Sequence, residues 1–475
     1  MQSLGFILET LTEYTPTGEE PDISSVVIDS RDAEPNSLFV AFSGDQHDGH
    51  DFIADAFERG ARVALIDRPI SEEYWTVDAR SAIGGEFLPE DQAETPICVR
   101  VENTLDALQC LGQAWRARFP DLRVIGITGS VGKTTTKELT HAVLSRRHRT
   151  LKSEGNYNNE IGLPLSLLRL RPWHEYAVLE MGMYTQGEIS RLAELAKPQV
   201  GVVTIVGSVH MEWLGTIEAI ADAKRELVEV LPPGPEGVAI LNMDDPLVMN
   251  MAAHTKARVF TYGLDQKADL WADDIDSMGL EGISFVLHSG RDRLSIHVPL
   301  LGRHSVHTSL RAAAVGLVER LSWDEIVAGL RDLSSQLRLV AVPGPRGSVI
   351  LDDTYNSSPE SAMAALNLLS DLPGRRIAVL GDMLELGPVE ESSHRLVGRR
   401  TLGVADLLVA VGSRGRLIGE EAISAGMPSA DVYLADDSAE AIQVLEDIIQ
   451  SGDMVLVKGS HGARLDKVVA ALGED

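Results

Sequence analysis

Short apolar runs recur along this chain, each followed by a stretch in which apolar residues keep helical spacing. Early runs are Val26-Val27-Ile28, Leu38-Phe39-Val40-Ala41-Phe42 and Val63-Ala64-Leu65-Ile66, with a helix expected over 51–59. An amphipathic helix follows near 105–115. Strands over 124–128, 177–180, 200–206 and 238–241 then alternate with helices such as 216–231. After a helix near 324–333 the alternation resumes, with strands over 349–351, 377–380, 407–411 and 454–457. Apolar residues at consecutive strand positions mean burial on both faces, and the intervening helices supply the cover. The expected fold class is α/β, built from parallel sheets.

The alternation divides the chain into three segments. Residues 1–101 read as a small α/β domain that trails into a polar, acid-rich stretch over 76–96, expected as a loop. Residues 102–335 form the central domain, and residues 336–475 repeat the strand–helix pattern. A chain of 475 residues is long enough for three separate cores. The formal net charge of -29 argues against a nucleic-acid partner or an anionic membrane surface, which require a basic face. Cys98 and Cys110 are too few for a disulfide framework and suit a reducing cytoplasm. The N-terminal stretch carries Glu9 and no basic leader, so no signal peptide is expected. No run approaches the roughly 18 apolar residues of a membrane span. A cytoplasmic protein is expected.

Chemistry concentrates at Gly126-Ile127-Thr128-Gly129-Ser130-Val131-Gly132-Lys133-Thr134-Thr135-Thr136, between a strand and a helix whose Leu139, Ala142 and Val143 share one face. Such a turn gathers backbone N–H groups around one point, and the helix dipole adds partial positive charge. Lys133 adds a full charge, and the Thr134 hydroxyl is placed to meet Mg²⁺. The pattern is a cradle for a nucleoside triphosphate. Strict spacing would put glycine where Ile127 stands, so this is a variant phosphate loop. Only nine of the 42 basic residues are lysines, and none precedes Lys133. Lysines at Lys133, Lys224 and Lys458 therefore invite a chemical reading.

In parallel α/β sheets ligands gather beyond the carboxyl ends of strands. Three groups that could assemble a Mg²⁺ site follow the loop in order: Glu180 at a strand end, His210 after the next strand, and Lys224 on the helix beyond. For Lys224 the competing reading is a surface residue paired with Asp222 or Glu226. Asn156, Asn158 and Asn159 offer neutral donors and acceptors for a polar anionic substrate, or else form a simple turn before Pro164. Asp352-Asp353-Thr354-Tyr355-Asn356 ends another strand, as nucleotide contacts or as an exposed turn. Lys458-Gly459-Ser460 closes the last strand in a small, anion-friendly loop.

In this order the motifs resemble the Mur ligases, ATP-dependent amide-forming enzymes of peptidoglycan precursor synthesis. The loop is similar to the family's G-x-T-G-[ST]-x-G-K-[ST]-[ST]. Asn156 to Pro164, Glu180-Met181-Gly182, Asp352 to Pro359, Gly381 to Gly387, Asp29-Ser30-Arg31 and Asp48-Gly49-His50-Asp51 are most similar to the branch that adds D-alanyl-D-alanine to UDP-N-acetylmuramoyl-tripeptide. The resemblance implies three domains: a UDP-substrate domain using Ser30 and Arg31, a central P-loop ATPase domain, and a Rossmann-like third domain closing over ATP. It implies ATP held by Thr128, Gly129, Ser130, Val131, Gly132, Lys133 and Thr134, with Arg338 and Asp353 from the third domain. One Mg²⁺ would lie at Thr134 and Glu180, and a second at His210 and a carbamylated Lys224. Asn156, Asn158, Asn159, Tyr355, Asn356, Lys458 and Ser460 would contact the substrates. A monomer is expected, with no nucleic-acid partner.

Four positions, in three elements, depart from the family pattern. Ser305 and Thr308 replace the asparagines of its G-x-H-N-x-x-N element, Leu337 replaces a glycine, and His461 ends what is usually K-G-S-R. The alternatives are a Mur-type ligase with another amine substrate, a P-loop ATPase that forms no bond, or a binding protein without activity.

Overall fold

The computed structural model describes residues 2–44, 47–71, 73–80, 95–332 and 339–473. By its internal contacts the chain forms two compact units. One comprises Met1–Val124, Arg149–Met181 and Arg191–Pro198; the other comprises Ile125–His148, Gly182–Ser190 and Gln199–Asp475. Among the described residues no helix is long and apolar enough to cross a membrane.

In the first unit a parallel sheet runs in the order Val26–Val27, Leu38–Val40, Val63–Ile66, Ile97–Arg100, Trp75–Asp78. Every residue of Val63–Ile66 is buried, as the unbroken apolar run requires. The loop expected over 76–96 is corrected at its start. Trp75–Asp78 is an edge strand in which Val77 is buried and its neighbours face outward. Its short alternation was masked by the acids and glycines that follow; residues 81–94 lie outside the described residues. The helix Thr104–Ala117 starts where Asn103 Oδ1 accepts from the N–H groups of Leu105 and Asp106. It packs on the helix Gly162–Leu168 so closely that a β-carbon on Gly112 would stand 3.1 Å from Pro164.

The second unit holds two sheets. In the first, Arg123–Thr128, Val200–Val203, Val238–Asn242, Arg258–Gly263 and Leu270–Ser277 pair in parallel. The strand expected over 200–206 stops at Val203, because the next residues turn aside to bond the phosphate loop. The expectation of purely parallel pairing is also corrected. Ile283–Ser289 and Asp292–Val298 add to Leu270–Ser277 in antiparallel fashion. Their alternation of buried and exposed residues marks strands wetted on one face.

The second sheet has the order Val340–Gly344, Ser348–Asp353, Met454–Lys458, Arg376–Gly381, Leu407–Val411, Val432–Ala435, parallel except at its first strand. Alternate strand residues divide between two cores. Leu351, Ala378, Leu380, Leu408 and Leu456 face one helix layer; Ile350, Ile377, Val379, Val409, Val455 and Val457 face the other. Each such Val, Leu or Ile side chain removed from water contributes about 1.5–3 kcal/mol before entropy is counted. Arg338 lies outside the described residues.

Candidate active site

The phosphate loop is fixed by the strand beside it. Thr128 and Val203 are register partners, so both chains leave the sheet at the same level. Thr204 N–H donates to Thr128 O at 3.0 Å, and Thr204 Oγ1 donates to Val131 O at 2.7 Å. Ser130 N–H donates to Ile205 O at 2.8 Å, while Ser130 Oγ accepts from Gly207 N–H at 2.9 Å. Gly129 takes φ +140°, and any β-carbon there would run into the Thr204 side chain. Gly132, at φ +83°, precedes the helix Lys133–Leu144. Lys133 Nζ bends back to Gly129 O at 2.8 Å, and Thr134 lies half-buried on the first helical turn.

Lys224 is 1% exposed, on the helix Ile217–Glu229. Burial, reinforced by the nearby Lys133 ammonium, holds its pKa well below the ordinary lysine range. The surface-pair reading of Lys224 is overturned. Asp222 bonds Arg225, and Glu226 accepts from the N–H groups of Gly187 at 2.7 Å and Ser190 at 2.9 Å. Beside this pair stands His210, in left-handed backbone at φ +70°. Burial is the main cause that lowers its pKa, opposed by Glu385 and reinforced by Lys133 and Lys224. Glu385 Oε2 stands 2.9 Å from His210 Nδ1 as a charge contact outside good hydrogen-bond alignment. Lys133, His210 and Lys224 are thus brought together in one unit.

Glu180 ends the strand Tyr176–Glu180 in the first unit. There it is buried, and its Oε1 accepts from Asn158 Nδ2 at 2.8 Å. Asn159 Oδ1 accepts from Gly162 N–H at 2.9 Å, at the start of its helix, while Asn156 is exposed. In the same unit Ser30 is buried, and Arg31 projects into solvent with its guanidinium 2.5 Å from Asp29. The Arg31 contact holds the Asp29 carboxyl down at about 2.

The loops of the last sheet are stitched together. Lys458 is 1% exposed; its Nζ donates to Asp353 Oδ2 at 2.7 Å and to Asn356 O at 2.8 Å. Ser460 N–H donates to Asp382 O at 2.9 Å, and its Oγ accepts from Leu384 N–H at 3.0 Å. Lys458 is therefore an internal ion pair with Asp353. Tyr355 is 41% exposed on the same turn.

Sequence models of the Mur ligase family match this chain in three places. The family's catalytic domain matches residues 22–116, its middle domain 127–316, and its glutamate ligase domain 337–461. A UDP-N-acetylmuramoyl-tripeptide–D-alanyl-D-alanine ligase of Synechocystis is 36% identical over 471 residues, covering 98% of this chain and 96% of its own. This chain belongs to the Mur ligase family. Its three-domain α/β fold matches solved family members. MurF from Acinetobacter baumannii superposes with a TM-score of 0.83 at 29% identity, covering 99% of each chain. The MurF ligase from Thermotoga maritima, solved in complex with ADP, has a TM-score of 0.77 at 27% identity, covering 94% of this chain and 96% of its own.

Sequence reasoning passed over several residues of this Mur ligase site. Thr204 and Asp245 hold the segment facing the loop, Asp245 Oδ2 accepting from Val206 N–H at 2.8 Å. Glu360 Oε1 accepts from both Ser208 N–H and Ser208 Oγ, at 3.0 and 3.1 Å. Arg311 is buried next to Gly132. A legible signal existed for that one: a single arginine inside the apolar helix Ser305–Val318.

Proposed function

We propose that this protein is an ATP-dependent amide ligase that joins D-alanyl-D-alanine to UDP-N-acetylmuramoyl-tripeptide. The products are the UDP-pentapeptide, ADP and phosphate. Full-length similarity to ligases of that name supports the substrates. The observation that carries the chemistry is the pair of lysines at the phosphate loop: Lys133 beside a fully buried Lys224. Three working segments follow from the sequence, 1–101 for the UDP substrate, 102–335 for ATP and 336–475 for closure and the dipeptide. We place the enzyme in the cytoplasm as a monomer.

The residues fit the nucleotide. Glycine at 129, where a side chain has no room, lets the loop turn into the helix Lys133–Leu144, whose N-terminus suits phosphate oxygens and carries Lys133 to neutralise them. They also fit Mg²⁺. Among the described residues no cluster of three acidic, histidine or cysteine groups forms a dedicated cage. That suits an ion held by one or two protein groups and the substrate's own phosphates. Thr134 and Glu180 would hold one ion; His210, neutral because of its burial, and Lys224 would hold the second. Bound Mg²⁺ supplies charge neutralisation for phosphoryl transfer. Lys224 suits this role only without its proton. The neutral amine forms an N–C bond with CO₂ and loses a proton to solvent, becoming an anionic carbamate. Its depressed pKa favours that state.

ATP supplies the phosphoryl group that turns the tripeptide carboxylate into an acyl phosphate with a good leaving group. Lys133 and the loop N–H groups bind and orient the triphosphate as charge shifts toward the leaving ADP. The dipeptide amine then attacks the acyl carbon, the C–O bond to phosphate breaks, and the amine proton leaves with the products. The test is ADP release from UDP-muramoyl-tripeptide with and without D-alanyl-D-alanine. Slow release that the dipeptide accelerates greatly is expected. Greater acceleration by glycine, lysine or glutamate would reassign the amine, and amine-independent hydrolysis would make it an ATPase.

A further inference from the structure

Arg311 is a buried cation without a carboxylate. It is 5% exposed, and among the described residues no acid forms an ion pair with it. Its Nη2 donates to Thr308 Oγ1 at 2.8 Å, its guanidinium carbon lies 6.0 Å from the Tyr262 ring centroid, and its Nε is buried with no partner. Tyr262 in turn donates its hydroxyl to the carbonyls of Val203 and Thr204, at 3.1 and 3.0 Å. That is the segment whose Thr204 clamps the phosphate loop. On the loop side, a β-carbon on Gly132 would stand 3.2 Å from Arg311 Nη2 and 3.5 Å from Nη1. The guanidinium therefore sits directly behind the residue that starts the phosphate-loop helix.

Burying a charge without a counter-charge is costly, and an apolar side chain of similar length would pack there at lower cost. Lys133 already places an ammonium at the same loop. A second cation makes sense as a fixed field for an anion that arrives later. We infer that Arg311 is a positioning residue of the nucleotide site. It backs Gly132 and the Tyr262–Thr204 clamp while supplying uncompensated positive charge, which the nucleotide's phosphates neutralise on binding. This rests on the nucleotide reading of the loop, and goes beyond it by assigning a residue that lies outside every motif the sequence offered.

A field acting on phosphate predicts an effect graded by phosphate charge, together with an inverse effect on the stability of the ligand-free protein. The experiment compares wild type, Arg311→Met and Arg311→Lys by calorimetric binding of ATP, ADP, AMP and adenosine, with thermal unfolding of each ligand-free protein. Arg311→Met is expected to melt at the wild-type temperature or above it. It should bind ATP and ADP about tenfold or more weakly, AMP only a few-fold more weakly, and adenosine unchanged. Arg311→Lys should keep most of the affinity for ATP. Equal losses for ATP and adenosine, or a lower melting temperature with unchanged relative affinities, would make Arg311 a packing residue and overturn the inference. If Arg311→Met does not fold, the proposal falls should Arg311→Lys lose ATP and adenosine binding alike. Failure of the wild type to bind ATP or ADP at all would instead overturn the nucleotide reading itself.

Discussion

Lys224, on the helix Ile217–Glu229, and Lys458, at the end of the strand Met454–Lys458, are both about 1% exposed, yet their surroundings are opposite. Lys458 meets the Asp353 carboxylate at 2.7 Å and a backbone carbonyl at 2.8 Å. Lys224 meets another cation, Lys133, which adds to the effect of burial and depresses its pKa further. The first environment favours an ammonium and locks two loops together. The second favours a neutral amine, the form able to take up CO₂. Burial alone does not tell a structural lysine from a reactive one; the sign of its neighbours does.

The comparison is tested most severely at Lys224. Lys224→Ala should lower ligation about a thousandfold or more, equivalent to about 4 kcal/mol or more in the barrier. The ligand-free fold should be kept, because no counter-charge is orphaned. Short-chain carboxylates added to the assay should restore part of the activity by standing in for the carbamate. An active alanine variant would reduce Lys224 to a packing residue.

Lys458→Met tests the other side. Removing the ammonium leaves Asp353 without its partner, and unfolding by denaturant should register a loss of roughly 3–5 kcal/mol. Adding Asp353→Leu should recover much of it. A single variant as stable as wild type would mean that the pair does not hold these loops.

His304, exposed on one side and crowded by protein near Asp353, Lys458 and Arg311 on the other, gives a pH dependence. Loss of water around its ring lowers its pKa to about 4 from the ordinary 6.5. The unfolded chain gains a proton below about 6.5, while the folded imidazole gains one only below about 4. Stability is therefore full above that window and falls as pH drops through it, by an amount that solvent around the exposed ring keeps small. Denaturant midpoints of wild type and His304→Gln across pH 4–7 should diverge accordingly. Parallel curves would remove His304 from the pH response.

The smallest effect is expected at Glu385, whose carboxylate raises a His210 pKa that burial has lowered. Glu385→Gln should lower it further. The acid limb of the pH–rate profile should then move to lower pH, with a several-fold loss of rate. An acid limb shifted upward would show that His210 is not the group titrating there.

The local pattern of residues determined much of this protein. Unbroken apolar runs demanded two-faced burial and hence parallel strands between helices, and Val63–Ile66 and Leu407–Val411 behave so. The glycine-rich turn with Lys133 was readable because strand, turn and helix are contiguous and a phosphate cradle needs only neighbours in the chain. The strand at Trp75–Asp78 was not legible: its four residues make one edge pairing, too short a period beside an acidic stretch. Neither was the antiparallel extension from Ile283 to Val298, since alternation specifies a strand without naming its partner. What only the tertiary structure decided is which charges meet. Lys224 and Lys458 are 234 positions apart and equally buried. Asp353 reached Lys458 through parallel register, and Lys224 came near Lys133 on the helix Ile217–Glu229. Arg311 came to stand behind Gly132, 179 positions away in the chain. Electrostatic interactions act through space over a few ångströms, so their sign at a buried site belongs to the fold and is not written in the spacing of the sequence.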